Sequence, residues 1–499
     1  MKNLFLKISN NIVKYLFTMF CTLYAICNIL FSYWINNVGY EKSINIGINL
    51  LSASIFVCFL FILLVLFKYD FFKIQEKHLL IGFLLIAFIT GILWILINDP
   101  ILRNHEDSIN CFNTALSIYN GSLSSLKQGT YICIYPNNLG LVTYELLHMY
   151  LFGDYYCLYS IRVVNLLFVL LGYYSLYKIG TLIFKNNRKF NYLLIFLMFG
   201  SMQLVFYSFF IYGNCLSYSL SLCSVWLLLE FFRNRKVSIL IISSICIVLS
   251  ISIKMNSLIV LIAEIIYIVL DFIDNKKLVV ILFLVLSLSG VFIGTKGIQK
   301  YWENKTMIKY DDTKLPTICW VAYGVNYDSR NPGHYTDQFE KFHIENGYKA
   351  EYTSLEANTF INMCINHFKE KPVSAISFYL RKFIVSWTNP EYEAFDQYRE
   401  LNNNNVVLNV ISGKANCLIN YFWDAISNLV SIGLLSYIVI NFKEIKLKQM
   451  LPAVIVIGGF LFHFIWEVKA IYMYQYYMYL LIYAAYGLML LFEKITNIK

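Results

Sequence analysis

Residues 94–112, "WILINDPILRNHEDSINCF", join the end of an apolar run to a dense group of ionisable side chains. The run covers residues 79–98, and about 20 apolar residues in a helix cross the ~30 Å hydrocarbon core of a bilayer. The ionisable residues that follow it are Asp99, Arg103, His105, Glu106 and Asp107. The stretch therefore predicts a membrane helix that ends here, with its charged groups at the bilayer surface.

Composition extends this interpretation to the whole chain. Of 499 residues, 59% are hydrophobic and 14% are charged, with a mean hydropathy of +0.59, whereas soluble domains carry about 25% charged residues. The long apolar runs exclude a membrane β-barrel, whose strands are ~10 residues long and alternate in polarity. The sequence predicts an all-α polytopic membrane protein. About twelve transmembrane helices are predicted, near residues 13–35, 46–67, 79–98, 156–177, 191–211, 215–232, 237–253, 256–270, 278–295, 422–441, 450–467 and 472–492.

Basic residues set the predicted orientation. Loop ends on one side are rich in Lys and Arg, as at residues 68–77, while the short loops on the other side hold little beyond Lys42 and Lys254. The positive-inside rule then predicts cytoplasmic termini and extracytoplasmic segments 99–155 and 297–421, in a multi-pass protein of the cell membrane. The net charge of +10 lies at loop ends and forms no basic tract, so no nucleic-acid partner is predicted.

These signals divide the chain into four parts. They are two additional N-terminal transmembrane helices in residues 1–78, a transmembrane core in residues 79–296 that includes the loop 99–155, an external cap in residues 297–421, and C-terminal transmembrane helices in residues 422–499. Within the loop, residues 107–120 have the period of an amphipathic helix. Residues 139–152 are apolar but too short to span upright, which indicates an interfacial or re-entrant helix. The cap has ordinary soluble composition and is predicted to be small and mostly helical.

Asp107 is the first candidate for chemistry. On a short interfacial helix its carboxylate would lie at the bilayer surface, where it could act as a general base on an acceptor hydroxyl. An Asp directly before an apolar-periodic run is also a good helix N-cap, which would explain it without any function. Position alone does not choose between Asp107 and the neighbouring acids Glu106 and Asp99.

Aromatic, amide and basic residues near the external side form the next candidates. Tyr135 and Asn137 in "TYICIYPNNLG" suit sugar or lipid headgroups, or an ordinary turn. Arg162 lies just inside a predicted span and could bind a phosphate or extend to the surface. Lys254 stands against the positive-inside bias between two spans, although a solvated loop lysine is a common arrangement.

Two later stretches add further candidates. In "FYLRKFIVSWTNPEY", residues 378–392, Lys382 could hold a phosphate, and Trp387 could stack on a sugar or anchor at the interface. In "FHFIWEVKAIYMYQYY", residues 462–477, His463 and Glu467 lie one helical turn apart. They could form a structural hydrogen bond or take part in function. The closely following candidates are Lys469 and Tyr472.

The twelve cysteines show no metal-ligand pattern. There is no CxxC and no Cys/His ligand spacing, so no metal site is predicted. Most cysteines lie in apolar runs, where a free thiol behaves as a small hydrophobe. Cys111 and Cys133 share one predicted external loop, and the sequence leaves open whether they pair.

Together these motifs resemble the GT-C superfamily of integral-membrane glycosyltransferases. The resemblance is to the bacterial family-39-like branch, akin to protein O-mannosyltransferases and the aminoarabinose transferase. It covers about residues 79–492. The motifs that carry it are Asp107, Ala115 and "YPNNLG" at 135–140, "LPTICWVAYGVNYDSRNPGHYTDQ" at 315–338, "RKFIVSWTNPEY" at 381–392 and "WEVKAIY" at 466–472. The family's basic residue before the final tyrosine is Ile471 here, which leaves Lys469 as the nearby cation.

The resemblance implies a mechanism and a set of partners. A polyprenyl-phosphate-linked sugar would enter from the outer leaflet, and Asp107 would deprotonate an acceptor hydroxyl on an extracytoplasmic glycan, teichoic acid or protein. The hydroxyl would attack and invert the anomeric carbon, and basic residues would stabilise the departing phosphate. Candidates for that role are Arg162, Lys382 and Lys469. No cofactor is required, and a weakly bound divalent cation is compatible with this scheme.

Two other functions stay open at the level of sequence. An O-antigen polymerase or ligase type of enzyme also has large external loops and would use lipid-diphosphate donors. A polysaccharide or lipid transporter would place paired charges or broken helices near the middle of the membrane. The predicted spans hold few acids at their centres, which disfavours transport.

Overall fold

Long apolar helices dominate the structure, a computed structural model that describes residues 2–35, 42–46, 49–97, 106–184, 187–275, 279–329, 331–395, 414–445 and 449–496. Nine helices in these ranges are long and apolar enough to cross a membrane, and two shorter apolar helices accompany them. The prediction of an all-α polytopic membrane protein is confirmed. The charged residues Asp99, Arg103 and His105 lie outside the described residues.

The bundle is built from helices of both halves of the chain. Its elements are α1 (Lys2–Leu30), α2 (Leu50–Lys68), α3 (Glu76–Ile97), α6 (Leu139–Ile183), α7 (Arg188–Gly200), α8 (Gln203–Tyr207), α9 (Asn214–Asn234), α10 (Val237–Ile253), α11 (Leu258–Asn275), α12 (Val279–Phe292), α19 (Lys414–Asn441), α20 (Leu451–Ile465) and α21 (Ala470–Thr496). Polar caps start some of them: the Asn49 side chain accepts hydrogen bonds from the amides of Leu51 and Ser52 at 2.9 and 3.1 Å.

Shorter helices make up the predicted loop and cap. They are α4 (Glu106–Tyr119), α5 (Tyr131–Ile134), α13 (Ile298–Thr306), α14 (Tyr310–Thr313), α15 (Ile318–Val325), α16 (Gln338–Glu345), α17 (Ala350–Glu370) and α18 (Pro372–Trp387). Helix α4 matches the amphipathic helix predicted over residues 107–120. It turns Cys111, Phe112, Ala115 and Ile118 inward.

Three predicted boundaries differ from the structure. Helix α1 ends at Leu30, and the last residues of the predicted span 13–35 form β1 (Phe31–Ile35), which pairs antiparallel with β2 (Lys42–Ile46). The interfacial helix 139–152 and the span 156–177 form one element, α6, interrupted at Gly153, whose φ is 75°. This left-handed backbone angle suits glycine.

The predicted span 191–211 is also broken. Helix α7 ends at Gly200 and α8 begins at Gln203. The carbonyl of Ser201 at the break accepts hydrogen bonds from the hydroxyls of Tyr173 and Tyr474, at 2.8 and 2.6 Å. Buried polar backbone groups need such partners, so the two tyrosines stabilise the interruption.

The cap is attached to two parts of the membrane bundle. On one side the amide of Leu315 donates to the carbonyl of Ile134 at 3.0 Å. On the other side the amide of Glu467 donates to the carbonyl of Trp320 at 3.0 Å, and that of Val468 to Gly333 at 2.8 Å. These contacts therefore join the segment that contains α5 to the segment between α20 and α21.

Close approach of α19 and α21 depends on glycine. A Cβ atom added at Gly487 would lie 1.8 Å from the carbonyl oxygen of Gly433, and one added at Gly433 would lie 2.4 Å from the carbonyl oxygen of Ala484. Small residues at such a contact let helix backbones pack directly in a membrane.

We therefore expect Gly487→Ala to destabilise the protein by about 1–3 kcal/mol, because its methyl group would push α19 and α21 apart. Thermal unfolding in detergent measures the effect. Gly82→Ala is the control, since a Cβ atom there meets nothing within 4 Å. An equal melting temperature for both variants would contradict the role of this contact.

Candidate active site

Residues from four separate segments gather around Asp107. Asp107 lies near the start of α4, and its partners come from the residues before α9, from the junction of α10 and α11, and from the segment around the start of α21. The residues that interact electrostatically with its carboxylate include Tyr212, Lys254, Glu467 and Tyr472. Lys469 joins the group through interactions with Lys254 and Glu467. The structure thus brings together five of the residues singled out in the sequence, Asp107, Lys254, Glu467, Lys469 and Tyr472.

A chain of hydrogen bonds orients the Asp107 carboxylate. The hydroxyl of Tyr212 donates to it. That hydroxyl lies 3.4 Å from the hydroxyl of Tyr131, which accepts from Nδ2 of Asn138 at 2.9 Å. Burial raises the pKa of both tyrosines well above the ordinary value, so they remain neutral donors beside the carboxylate.

Lys254 is a buried cation in this group. Its Nζ lies 3.3 Å from the ring centroid of Tyr212 and 6.0 Å from that of Tyr472, within the range of cation–π attraction. Its side chain is nearly excluded from solvent. Burial lowers the pKa of Lys254 to about 7, although Asp107 opposes this effect. Its charge can therefore change near neutral pH.

Hydrogen bonds to its main chain fix the position of Glu467. Its carboxylate interacts electrostatically with Asp107, Lys254 and Lys469, here called the charged group. His463 donates from Nδ1 to the backbone carbonyl of Glu467 at 3.0 Å, so the side-chain hydrogen bond considered from the sequence is replaced by a main-chain one. Burial raises the pKa of Glu467 to about 7, and Lys469 and Lys254 act in the opposite direction. Glu467 and Lys254 thus titrate in the same pH range.

Lys382 has a structural position. Its Nζ donates to the carbonyls of Gly324, Phe464 and Trp466 at 2.7, 3.1 and 2.8 Å. These bonds use all three ammonium protons. The predicted phosphate contact is corrected accordingly: Lys382 secures the end of α20 just before Glu467, and its ammonium has no further proton for a phosphate.

Trp387 is also corrected by its position. Only 2% of its surface is exposed. The centroid of its ring lies 4.8 Å from that of Phe20, 6.1 Å from that of Phe383 and 5.9 Å from that of Tyr476. A side chain enclosed in this way packs the core and offers no face to a sugar or to the membrane interface.

Arg162 lies on α6 against the loop that leads to α9. Its guanidinium is buried and lies 3.7 Å from the ring centroid of Phe209. Three residues further along α6, Asn165 donates to the carbonyl of Ser208 at 3.3 Å. These contacts support the loop that carries Tyr212, and phosphate binding by Arg162 stays a prediction.

The two candidates of the "YPNN" element, Tyr135 and Asn137, contact other residues of the protein. Tyr135 is buried and donates to Oε2 of Glu340 at 2.6 Å. Asn137 is exposed and contacts its neighbour Asn138 at 3.4 Å. Glu106 begins α4, but its side chain lies outside the described part of the chain.

Two residues of the site escaped sequence reasoning: Tyr131 and Tyr212. Tyr131 lies within the quoted "TYICIYPNN" stretch, where nothing in the sequence distinguishes it from the other polar side chains. Tyr212 stands in "FIYGN", which carries no recognisable motif. Only the fold shows that these residues meet Asp107.

No group of three His, Cys, Asp or Glu side chains in the described ranges is placed to hold a metal ion. Cys111 and Cys133 are both buried free thiols. The thiol of Cys133 donates to the carbonyls of Leu126 and Lys127 at 3.2 and 2.9 Å, so it is engaged locally.

Substitution of Lys382 tests whether its hydrogen bonds stabilise the end of α20, which precedes Glu467. We expect Lys382→Met to lower the free energy of unfolding by several kcal/mol, since each buried carbonyl left without a donor costs about 1–3 kcal/mol. Arg381→Met, at the exposed neighbouring position, is the control. Thermal unfolding in detergent compares them, and equal melting temperatures would contradict this role of Lys382.

Comparisons with known proteins concern structure. No protein-family model matches the chain, and no curated protein matches it. Among solved structures, the chain is similar to the archaeal oligosaccharyltransferase AglB from Archaeoglobus fulgidus, in complex with an inhibitory peptide and a dolichol-phosphate, at 12% sequence identity and a TM-score of 0.45. The match covers 84% of this chain and 51% of that chain, so this chain spans about half the length of the oligosaccharyltransferase.

Proposed function

We propose that this chain is a membrane glycosyltransferase of the GT-C type, of the family-39-like branch that its motifs resemble. It moves a sugar from a polyprenyl-phosphate donor to an extracytoplasmic acceptor. One observation supports this function above the others: the oriented carboxylate of Asp107 lies in one group with the lysines Lys254 and Lys469. A base and a phosphate-binding pair are the two elements that this reaction needs.

Asp107 is the proposed base. The acceptor hydroxyl attacks the anomeric carbon while its proton passes to the carboxylate of Asp107. Tyr212 holds that carboxylate in place by a hydrogen bond. The bond between the anomeric carbon and the phosphate oxygen breaks, and this single displacement inverts the configuration at the carbon.

The two lysines receive the leaving group. Polyprenyl phosphate departs with increased negative charge, which Lys254 and Lys469 stabilise at short range. Because Lys254 is buried, its interaction with a phosphate is weakly screened by water. Glu467 keeps the two cations oriented when no phosphate is bound. No metal ligand is assigned to this scheme.

The apolar bundle suits a lipid-linked donor. The prenyl chain of the donor lies in the hydrocarbon layer, and its phosphate reaches the group around Lys254, which connects two of the apolar helices. In this arrangement the termini are cytoplasmic, and the loop and cap face the extracytoplasmic side.

Asp107→Asn tests the base. We expect a fall in the rate of sugar transfer of about 10²–10⁴-fold, with donor binding retained, because the amide cannot accept the proton. The assay follows labelled sugar from undecaprenyl-phosphate-sugar in membranes that contain the protein. Asp154→Asn, at an exposed position of α6, is the control and keeps the full rate.

The same assay separates the competing functions. Full activity of Asp107→Asn would remove Asp107 as the base. Transfer from a polyprenyl-diphosphate sugar without transfer from the monophosphate would favour a polymerase or ligase. Movement of the lipid-linked sugar across sealed vesicles without covalent change would favour a transporter.

The pH dependence of polyprenyl-phosphate binding tests Lys254. Since burial lowers the pKa of Lys254 to about 7, the ammonium is present below that pH and lost above it. Affinity should therefore fall as pH rises above neutrality, by up to about tenfold per unit. Lys254→Arg should lose less affinity over the same pH range, because arginine stays charged.

Equilibrium binding to the detergent-solubilised protein gives this profile. Lys305→Arg, at an exposed position of α13, is the control and should follow the unsubstituted protein. The same pH profile for Lys254→Arg and the unsubstituted protein would contradict the role of Lys254.

A further inference from the structure

A second polar and aromatic group adjoins Asp107 and has no part in the transfer step described above. Its rings belong to Tyr135, Trp320 and Tyr335, here called the aromatic platform. The ring centroid of Trp320 lies 6.0 Å from that of Tyr135 and 6.4 Å from that of Tyr335. Trp320 and Tyr335 keep part of their surface accessible, so they can meet a ligand.

A carboxylate completes the platform. Oε2 of Glu340 accepts hydrogen bonds from the hydroxyls of Tyr135, at 2.6 Å, and of Tyr335. Oε1 of Glu340 receives no hydrogen bond from the described residues. Glu340 is partly exposed. The two tyrosines therefore hold the carboxylate in one orientation and leave an acceptor oxygen for a ligand.

The platform is continuous with the site around Asp107. The ring of Tyr131 lies 4.9 Å from that of Tyr135, and its hydroxyl lies 3.4 Å from that of Tyr212. Tyr212 donates to the Asp107 carboxylate, and Tyr335 also interacts electrostatically with it. A molecule bound on the platform can thus present a group to Asp107.

The chemistry of the platform selects among acceptor classes. Aromatic faces pack against the apolar faces of sugar rings, and a carboxylate oxygen accepts a hydrogen bond from a sugar hydroxyl. A phosphate group of an acceptor placed on the platform would lie beside the carboxylate of Glu340, which carries a charge of the same sign. No β-strand lies among the described residues of the platform, so an extended peptide finds no sheet edge there.

We propose that the acceptor of this enzyme is a neutral carbohydrate that stacks on Trp320 and Tyr335 and donates a hydroxyl hydrogen bond to Oε1 of Glu340. The proposal rests on the transferase function and names its acceptor. The bound sugar then directs another of its hydroxyls to Asp107.

Kinetics with three acceptor classes test the platform. The probes are neutral oligosaccharides (maltotetraose and chitotetraose), a glycerol-phosphate oligomer and a Ser/Thr peptide. With a neutral oligosaccharide, Trp320→Ala and Glu340→Gln should each raise the acceptor KM by roughly tenfold or more. The kcat should change less than about twofold. Trp320→Phe should restore most of the acceptor affinity.

Tyr352→Ala is the matched control, since this exposed tyrosine of α17 lies outside the platform. It should leave the acceptor KM unchanged. Direct titration of the solubilised protein with the oligosaccharides, followed by ligand-observed NMR, measures binding without transfer. Trp320→Ala should weaken that binding by the same factor as it raises KM.

The two measurements separate the proposals. Transfer to the glycerol-phosphate oligomer or the peptide, without effect of Trp320→Ala, would overturn the carbohydrate platform and keep the transferase. Oligosaccharide binding that depends on Trp320, without sugar transfer to any acceptor, would overturn the transferase and keep the platform as a glycan-binding site.

Discussion

The ammonium of Lys382 is the interaction on which the site depends. Helix α20 ends at Ile465, and the last carbonyls of a helix have no partner within the helix. The three hydrogen bonds from Lys382 satisfy carbonyls from both α20 and the cap. The chain can then leave the helix, and Glu467 follows directly in the segment that leads to α21.

The same need for partners explains the cap. Residues 466–468 form a link between two helices, and the amides of Glu467 and Val468 donate to the carbonyls of Trp320 and Gly333. The cap therefore stabilises the position of Glu467 and also supplies Trp320 to the surface beside Asp107. These two hydrogen bonds thus connect the segment that carries Glu467 to the aromatic platform.

Burial gives the charged group its chemical character. Lys254 and Glu467 are each almost enclosed, and each has a pKa shifted towards neutrality by desolvation. Each of the two groups can therefore change its charge near pH 7. The neutral phenols of Tyr131 and Tyr212 provide hydrogen-bond donors in the same space.

The sequence by itself determined the membrane helices, the amphipathic helix at Asp107 and the candidates Lys254, Glu467, Lys469 and Tyr472, because hydropathy, periodicity and misplaced charges are local properties. Tertiary structure alone decided which polar residues meet. Trp387 and Lys382 look like ligand-binding residues in the chain, yet their neighbours in space assign them to packing and to carbonyl support. Tyr212 carries no local signal, and only the fold brings it to Asp107. Contacts between residues a hundred or more positions apart depend on how the helices pack, and no single segment encodes that packing.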